Sequence, residues 1–406
     1  MSPTAKAKKR ALGALEGFLH DEAAGGVVLV VGALLAVVWA NSPAADSYSS
    51  FWGQYLTLGW GPTALTENLR HWVNDGLMVV FFFVVGLEIK RELTVGELRD
   101  PRAAALPAAG ALGGVVLPAL VFVALARGDA AAGWGIPMAT DIAFAVGVLA
   151  LLGDRVPAGA KLLLLSVAIV DDIIAITVIA IFYTDTVSLA WLAGALAGLV
   201  MVLVLRQLGV HAIWPYVLIG FVVWVATLES GVHATIAGVA LGLLTPVGEV
   251  GGRSVLDTLE HRLHPWSAFA IVPLFALANA GVDFRGGLLG EAADNPLTWA
   301  VALGLVIGKT VGISAAVWLT VRTGLGKLPQ GLAPLHVLAV AAVAGIGFTV
   351  SLFIADLAYD DPALIETAKV GIFAGSLLAG SIGAGLMLLS GRRATGIERP
   401  SPRQGL

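Results

Sequence analysis

Long apolar runs recur along the whole chain and constrain its fold more than any other feature. Of the 406 residues, 58% are hydrophobic and 13% are charged, whereas a soluble domain has roughly 25% charged residues. A helix needs about 20 apolar residues to cross the hydrocarbon core of a bilayer. Such runs leave no stretch long enough for a separate soluble domain. The sequence therefore predicts one all-α polytopic membrane domain.

Twelve of these runs are long enough to be transmembrane helices. They lie near residues 23–40, 72–89, 103–126, 134–152, 161–183, 189–206, 212–228, 231–246, 266–281, 298–320, 333–355 and 365–389. The predicted membrane domain covers residues 23–389. Residues 1–22 and 390–406 are predicted to be a cytoplasmic N-terminal segment and a flexible cytoplasmic tail.

The positive charges favour one orientation for these twelve spans. With a cytoplasmic N-terminus, most of the 24 Lys and Arg residues fall in inside segments, and acidic residues gather on the opposite side. The positive-inside rule then places both termini in the cytoplasm. One helix too many or too few would place the later Lys and Arg residues on the wrong side of the membrane. The charge distribution therefore also supports the count of twelve.

The predicted external segment from Ser47 to Gly59 has an unusual composition, SYSSFWGQYLTLG. Its aromatic and small polar residues around Gly53 suit a short β-hairpin. An interfacial aromatic belt is an equal alternative. The sequence alone leaves both open.

Four charged residues are predicted to lie inside membrane spans, where charges are rare. Asp171 and Asp172 are in the middle of the fifth span, Asp141 is inside the fourth, and Lys309 is inside the tenth. A charge at the bilayer centre costs roughly 2.5 to 3.5 kcal/mol on insertion scales. These three helices are therefore predicted to face one another across a shared polar cavity.

The two adjacent aspartates are predicted to differ in role, because neighbouring helix residues point about 100° apart. One can face Lys309 while the other faces the cavity. Lys309 either forms a structural ion pair or competes with protons and cations for that aspartate, and both can hold. Oxygen ligands without sulfur suit Na⁺, Li⁺ or protons rather than a transition metal. The chain has no cysteine, and we expect no cofactor and no nucleic-acid partner.

Two spans contain helix breakers. Gly135 and Pro137 precede Thr140 and Asp141 in the fourth span, and Gly345 and Gly347 interrupt the eleventh. Each break is either an ordinary kink or an unwound segment that lines a cavity. Spans three to five begin inside and spans ten to twelve begin outside, so the two triplets are predicted to be inverted-topology repeats with a discontinuous helix in each. In the tenth span, Gly304, Gly308 and Gly312 predict a close-packing helix face.

Eight strings of the sequence resemble the NhaA family of sodium/proton antiporters. They are NDGLMVVFFFVVGLEIKREL, ATDIAFAVGVLALLG, VAIVDDIIAI, SGVHATIAGV, LEHRLHPW, PLFALANAGV, IGKTVGIS and GIGFTVSLFIA, within residues 74 to 355. The resemblance implies an electrogenic exchanger, not an enzyme, that expels Na⁺ or Li⁺ from a bacterium in exchange for H⁺. It also implies a location in the inner membrane and a homodimer formed through Ser47 to Gly59.

The resemblance further implies roles for individual residues. Asp172 is then the essential cation ligand, Asp171 is the partner of Lys309, and Thr140 and Asp141 lie near the cation. Two groups of charged residues correspond to the family's pH-response region, and two further residues are secondary candidates. The pH-response residues are Glu88, Arg91, Glu92, Glu260, His261 and His264, and the secondary ones are Asp75 and His233. Histidines beside carboxylates can titrate between about pH 5 and 8, although without the resemblance these would be solvated loop charges.

Three other functions fit the sequence less well than antiport. An intramembrane aspartic protease could use Asp141 and Asp172 as a dyad, but the chain has no GxGD pattern and Lys309 would disturb a shared proton. A sodium-coupled organic anion carrier of similar architecture would use Lys309 to hold its substrate, whereas the paired aspartates favour a cation. A channel does not call for an inverted repeat with charges on three helices.

Overall fold

The computed structural model describes residues 24–59, 64–184, 186–210, 212–250, 253–329 and 331–395. The predicted N-terminal segment lies outside these residues. The last helix runs from Pro362 to Thr395, so the first residues of the predicted tail are helical, and residues 396–406 lie outside the described part.

The described chain is almost entirely helical. In the first half the helices are Ala24–Ala40, Ala45–Trp52, Leu69–Thr94, Pro101–Leu125, Gly128–Met138, Ile142–Leu151 and Ala158–Phe182. In the second half they are Leu189–Gln207, Ile213–Glu229, Thr235–Leu244, Val255–Trp266, Val272–Asn279, Leu288–Asp294, Pro296–Arg322, Pro334–Val343, Phe348–Ala358 and Pro362–Thr395. Short 3₁₀ turns lie at Glu97–Arg99 and Gly153–Arg155.

Each predicted span coincides with helix, and the all-α membrane fold is confirmed. In the described part, six helices are long and apolar enough to cross a bilayer, or up to nine if each of three bent helix pairs is one span. Ile213–Glu229 and Thr235–Leu244 are apolar but shorter. The ten residues of the latter reach only about 15 Å. The number of crossings, twelve, stays a prediction.

The predicted breaks in the fourth and eleventh spans are confirmed. Gly128–Met138 meets Ile142–Leu151 at a bend of 50°, and these two helices are called the first broken span. Pro334–Val343 meets Phe348–Ala358 at a bend of 47°, and these are called the second broken span. Each broken span is flanked in the chain by two continuous helices, as the repeat predicted.

A β-hairpin is present, but only its first strand lies in the segment from Ser47 to Gly59 for which a hairpin or an aromatic belt was predicted. Residues 45–52 form a helix, and the strands are Tyr55–Leu58 and Leu65–Asn68, which pair antiparallel. The aromatic residues of the helix pack on one another and on Trp39, with ring centroids of Trp39 and Tyr48 5.4 Å apart. Tertiary packing therefore decides the conformation of a segment whose local composition favours a strand. A second pair of two-residue strands, Glu249–Val250 and Arg253–Ser254, precedes the helix that begins at Val255.

Glycines allow two pairs of helices to touch through their backbones. A Cβ at Gly312 would overlap the backbone oxygen of Gly113, so Pro296–Arg322 is pressed against Pro101–Leu125. This contact confirms the predicted close-packing face. Likewise, a Cβ at Gly86 would lie 2.7 Å from the backbone oxygen of Val239, which presses Leu69–Thr94 against Thr235–Leu244.

Three π-helical turns were not predicted from the sequence: two lie inside Leu69–Thr94 and Pro296–Arg322, and one joins Val255–Trp266 to Val272–Asn279. These turns are Trp72–Leu77, Ser267–Ile271 and Gly304–Gly308. π-Turns inside α-helices are rare and are frequent at functional sites. The last of them ends directly before Lys309.

Candidate functional site

The two broken spans cross at their breaks and bond to each other there. The amide of Asp141 donates to the carbonyl oxygen of Ile346 at 2.7 Å. The Thr140 hydroxyl donates to the carbonyl oxygen of Ala344 at 2.8 Å. In the reverse direction, the Ser351 hydroxyl donates to the carbonyl oxygen of Ile136 at 2.7 Å. These bonds satisfy some of the backbone groups that the breaks release, which is what unwound backbone at membrane depth requires.

The Asp141 carboxylate lies between the two helices that begin just after the breaks. Its Oδ1 accepts from the amide of Phe144 at 3.0 Å in the first broken span. Its Oδ2 accepts from the amide and the hydroxyl of Thr349, at 3.0 and 2.6 Å, in the second. A helix N-terminus carries partial positive charge, so this carboxylate balances two such ends at once. The structure thus gives Asp141 a structural role in addition to any role toward a cation.

Lys309 reaches the crossing from Pro296–Arg322, which is called the lysine helix. Its Nζ donates to Asp171 Oδ2 at 2.6 Å and to Thr140 Oγ1 at 2.9 Å. Lys309 and Asp171 are buried, with 0% and 1% of their surface exposed. Because one ammonium bonds both a carboxylate and a residue of the break, it ties three elements together.

Asp171 and Asp172 lie side by side on Ala158–Phe182, called the aspartate helix, but in different surroundings. Asp172 retains 8% exposure, and Glu88 lies close enough to repel its charge. Asp171 Oδ1 is buried and has no hydrogen bond of good geometry among the described residues, although the backbone amide of Thr140 lies near the carboxylate. A buried acceptor without a partner is uncommon in proteins and calls for an explanation. An oxygen of this kind beside Asp172 is a suitable ligand for a small hard cation.

The lysine helix is held close to this crossing by its glycines. A Cβ at Gly304 would lie 2.7 Å from Pro137 Cβ in the first broken span, and one at Gly308 would lie 2.6 Å from Pro118 Cα. Any side chain at these positions would push the helix outward. The position of the Lys309 ammonium therefore depends on the small residues that precede it.

All the predicted pH-response residues except Glu88 lie at the end of the bundle opposite the hairpin, where two helices meet. Arg91, from Leu69–Thr94, is bonded to Glu260, from Val255–Trp266. Burial raises the pKa of Glu260, and the Arg91 charge opposes that rise. His264 also acts on Glu260 electrostatically, whereas His261 is exposed. The structure thus joins Arg91 and Glu260 directly and places Glu88 nearer the aspartates.

The secondary candidates Asp75 and His233 lie toward the hairpin end. Asp75 Oδ2 is 3.2 Å from His71 Nε2, and its backbone oxygen accepts from the Trp224 indole at 2.8 Å. His233 is hydrogen-bonded to the carbonyl oxygen of Tyr183. Neither residue touches the crossing of the broken spans.

Sequence reasoning missed several polar residues at these sites. Thr349 holds Asp141, and its only signal was its place two residues after Gly347 in the second break. Asn74 donates to Asp356 Oδ2 at 2.7 Å and exchanges hydrogen bonds with Asn279. No local pattern indicated that these amides have partners more than 200 positions away.

Comparison with known proteins assigns the family. The model of the "Na+/H+ antiporter 1" family matches residues 16–388. The Na⁺/H⁺ antiporter NhaA 2 of Erythrobacter litoralis is 48% identical over 93% of this chain and 94% of its own length. The NhaA antiporter of Rhodospirillum rubrum is 48% identical over 94% and 98%, and that of Oleidesulfovibrio alaskensis is 46% identical over 92% and 94%. This chain belongs to the Na⁺/H⁺ antiporter 1 family.

Proposed function

We propose that this protein exchanges Na⁺ or Li⁺ for H⁺ across a bacterial inner membrane by alternating access. The observation that carries the proposal is the pair Asp171 and Asp172, with one carboxylate bound to Lys309 where two broken helices cross. The antiporter names of relatives that match nearly the whole chain support the same exchange.

In this proposal, Asp172 is the group that binds either a proton or the cation. It is the aspartate that keeps some exposure, and it has the unpaired Oδ1 of Asp171 as a neighbour on the same helix. A carboxylate that has bound a proton no longer attracts Na⁺, so occupancy by one ion excludes the other. Exchange then follows when the site opens to the two sides in turn.

Asp171 and Lys309 set the charge of the empty site. Two carboxylates and one ammonium leave one net negative charge, which one Na⁺ neutralises. Two carboxylates also offer places for two protons, provided that Lys309 releases Asp171 during the cycle. Unequal charges would then move in the two directions, and transport would be electrogenic.

The remaining predicted residues have supporting roles in the proposal. Thr140 offers a hydroxyl oxygen near the ammonium, and Asp141 holds the two helix ends that form the crossing. The Arg91–Glu260 contact and its neighbours adjust activity to the pH of the cytoplasm. We further propose cytoplasmic termini, on the positive-inside distribution of Lys and Arg, and a homodimer formed through the hairpin, because its first strand, Tyr55–Leu58, is exposed.

A flux measurement tests the proposal. The purified full-length protein in proteoliposomes should move protons when Na⁺ or Li⁺ is added across a pH series, and an imposed membrane potential should change the rate. Protein-free liposomes and K⁺ are the controls. Absence of proton movement with Na⁺ and Li⁺ at every pH would refute exchange. A proton response that requires an added organic anion would favour the carrier alternative.

A further inference from the structure

The first half of the first broken span, Gly128–Met138, is called the 3₁₀ segment. Its 11 residues form two 3₁₀ helices that meet at Gly133, where the backbone (φ −77°, ψ 18°) leaves the helical range. 3₁₀ helices have poor hydrogen-bond geometry and rarely run beyond three or four residues. Pro137 lacks a backbone donor as well. The segment therefore needs partners outside itself to keep its shape.

Two tyrosine hydroxyls supply such partners. The Tyr183 hydroxyl accepts from the amide of Gly135 at 2.9 Å and donates to the carbonyl oxygen of Ala132 at 3.0 Å. The Tyr359 hydroxyl donates to the carbonyl oxygen of Ala130 at 2.6 Å. Both tyrosines are buried. Hydrogen bonds from two side chains thus hold a segment whose own backbone ladder is weak.

The glycines of the segment leave room for both hydroxyls. A Cβ at Gly133 would lie 2.0 Å from the Tyr359 hydroxyl oxygen, and one at Gly135 would lie 2.6 Å from that of Tyr183. Trp134, between the two glycines, stacks on the Tyr183 ring with the centroids 6.3 Å apart. In the sequence, Gly135 indicated only a helix break. In the structure it also lets a hydroxyl reach the backbone.

Each tyrosine follows one of the helices that build the crossing. Tyr183 comes directly after the aspartate helix, and Tyr359 comes directly after Phe348–Ala358 of the second broken span. The two hydroxyls therefore fasten the 3₁₀ segment to two of its neighbours. The bond from the Ser351 hydroxyl to the carbonyl oxygen of Ile136, at 2.7 Å, is a further attachment nearer the break.

The 3₁₀ segment leads straight into the residues of the break. Only Ala139 separates it from Thr140 and Asp141. Because the chain is continuous, a displaced segment would shift both residues relative to the aspartate helix. We propose that Tyr183 and Tyr359 are positioning residues, which set the apparent affinity for the transported cation by holding Thr140 and Asp141 in place. This inference rests on the ion exchange proposed above.

Na⁺-driven proton flux of the full-length protein in proteoliposomes tests the inference through the KM for Na⁺. Tyr183→Phe keeps the ring and removes two hydrogen bonds, and should raise that KM roughly three- to tenfold with little change in the maximal rate. Tyr359→Phe removes one bond and should raise the KM about two- to threefold. A purely structural role would instead reduce the amount of folded transporter, which lowers the maximal rate and leaves the KM unchanged.

Tyr216→Phe is the matched control. Its hydroxyl also donates to a backbone carbonyl, that of Val210 at 2.8 Å, but in the loop before its own helix. This variant loses one buried-side hydroxyl bond of the same kind and should keep the wild-type KM for Na⁺.

Amide hydrogen exchange, followed by mass spectrometry, reports on the segment without any transport. In Tyr183→Phe and Tyr359→Phe, the amides of residues 128–141 should exchange faster with solvent than in the wild type. In Tyr216→Phe they should exchange at the wild-type rate.

Three results would overturn the inference while the proposed function stands. The first is a wild-type KM for Na⁺ in both Tyr183→Phe and Tyr359→Phe. The second is unchanged amide hydrogen exchange of residues 128–141 in both variants, since the hydroxyls would then not hold the segment. The third is an equal rise of the KM in Tyr216→Phe. If the wild type itself moves no protons when Na⁺ is added, the proposed function fails, and this inference fails with it.

Discussion

The crossing of the broken spans and the Arg91–Glu260 contact use charged residues in different ways. At the crossing, Asp141 accepts hydrogen bonds from two helix ends and Lys309 bonds both Asp171 and Thr140, all of them buried. At the other contact, Arg91 keeps 30% of its side chain exposed. Charges of the first kind are held by several hydrogen bonds and are costly to disturb, whereas the second contact joins a buried carboxylate, Glu260, to a guanidinium that is partly exposed at the end of the bundle.

The largest effect is expected from Asp172→Asn. An amide cannot alternate between a bound proton and a bound cation, so Na⁺-driven and Li⁺-driven proton flux should disappear in proteoliposomes. The matched control is Asp294→Asn, an exposed aspartate on Leu288–Asp294, which should retain wild-type flux. Wild-type turnover in Asp172→Asn would remove this carboxylate from the mechanism and reduce the crossing to a structural feature.

Removing the ammonium should have the largest effect on stability. Lys309→Ala leaves the buried Asp171 charge without its partner, which should destabilise the protein by about 3–5 kcal/mol. The apparent melting temperature in detergent measures the loss. The double variant Lys309→Met/Asp171→Asn removes both charges and should recover most of the stability. Equal melting temperatures for the wild type and Lys309→Ala would mean that the pair does not stabilise the fold.

A smaller loss is expected from Thr349→Val. This change removes the hydroxyl that donates to Asp141 at 2.6 Å and keeps the backbone donor, so about 1.5–3 kcal/mol of stability should be lost. Thr367→Val is the control, since that hydroxyl donates to Ala363 within its own helix. If both variants melt at the same temperature, the side-chain bond to Asp141 contributes little.

The smallest effect, and the only one that depends on pH, is expected from Glu260→Gln. Because burial raises the pKa of Glu260, the folded state holds its proton to a higher pH than the unfolded chain does. Stability from this group is then full below the ordinary Glu pKa of about 4.3 and falls as pH rises through the raised value. The melting temperature of the wild type minus that of Glu260→Gln should therefore decrease as the pH rises through this range.

The groups around Glu260 set the control for that experiment. Arg91, Asp257, His264 and Glu92 all act on its charge, so the comparison must keep them unchanged. The exposed Glu291, in another helix, provides Glu291→Gln as the reference. If the difference in melting temperature between the wild type and Glu260→Gln does not change with pH, Glu260 does not titrate in this range. The Arg91–Glu260 contact would then be as insensitive to pH as the crossing of the broken spans.

Much of the fold and part of the site could be predicted because bilayer physics restricts the sequence strongly. The spans followed from apolar length, and the breaks followed from Gly135, Pro137, Gly345 and Gly347. Charges such as Lys309 and Asp171 are costly at that depth unless each has a partner of opposite charge. Their predicted depth in the bilayer alone indicated that they would meet.

The parts that could not be predicted depend on contacts between distant residues. The helix at 45–52 forms through packing on Trp39, which no local pattern indicated. The π-turn before Lys309 has no signal in the local sequence, and Thr349 is an unremarkable residue until Asp141 lies beside it. Local composition therefore favoured a strand where tertiary packing produces a helix.

The contact between Gly113 and Gly312 has a consequence for the kinematics of transport. Helices whose backbones touch are packed as closely as two helices can be, so we expect the lysine helix and Pro101–Leu125 to move as one piece. The same holds for Leu69–Thr94 and Thr235–Leu244 at Gly86. Access to the aspartates would then change through relative rotation of such pieces, with few independent degrees of freedom, and the Lys309 ammonium would keep its place within one of them.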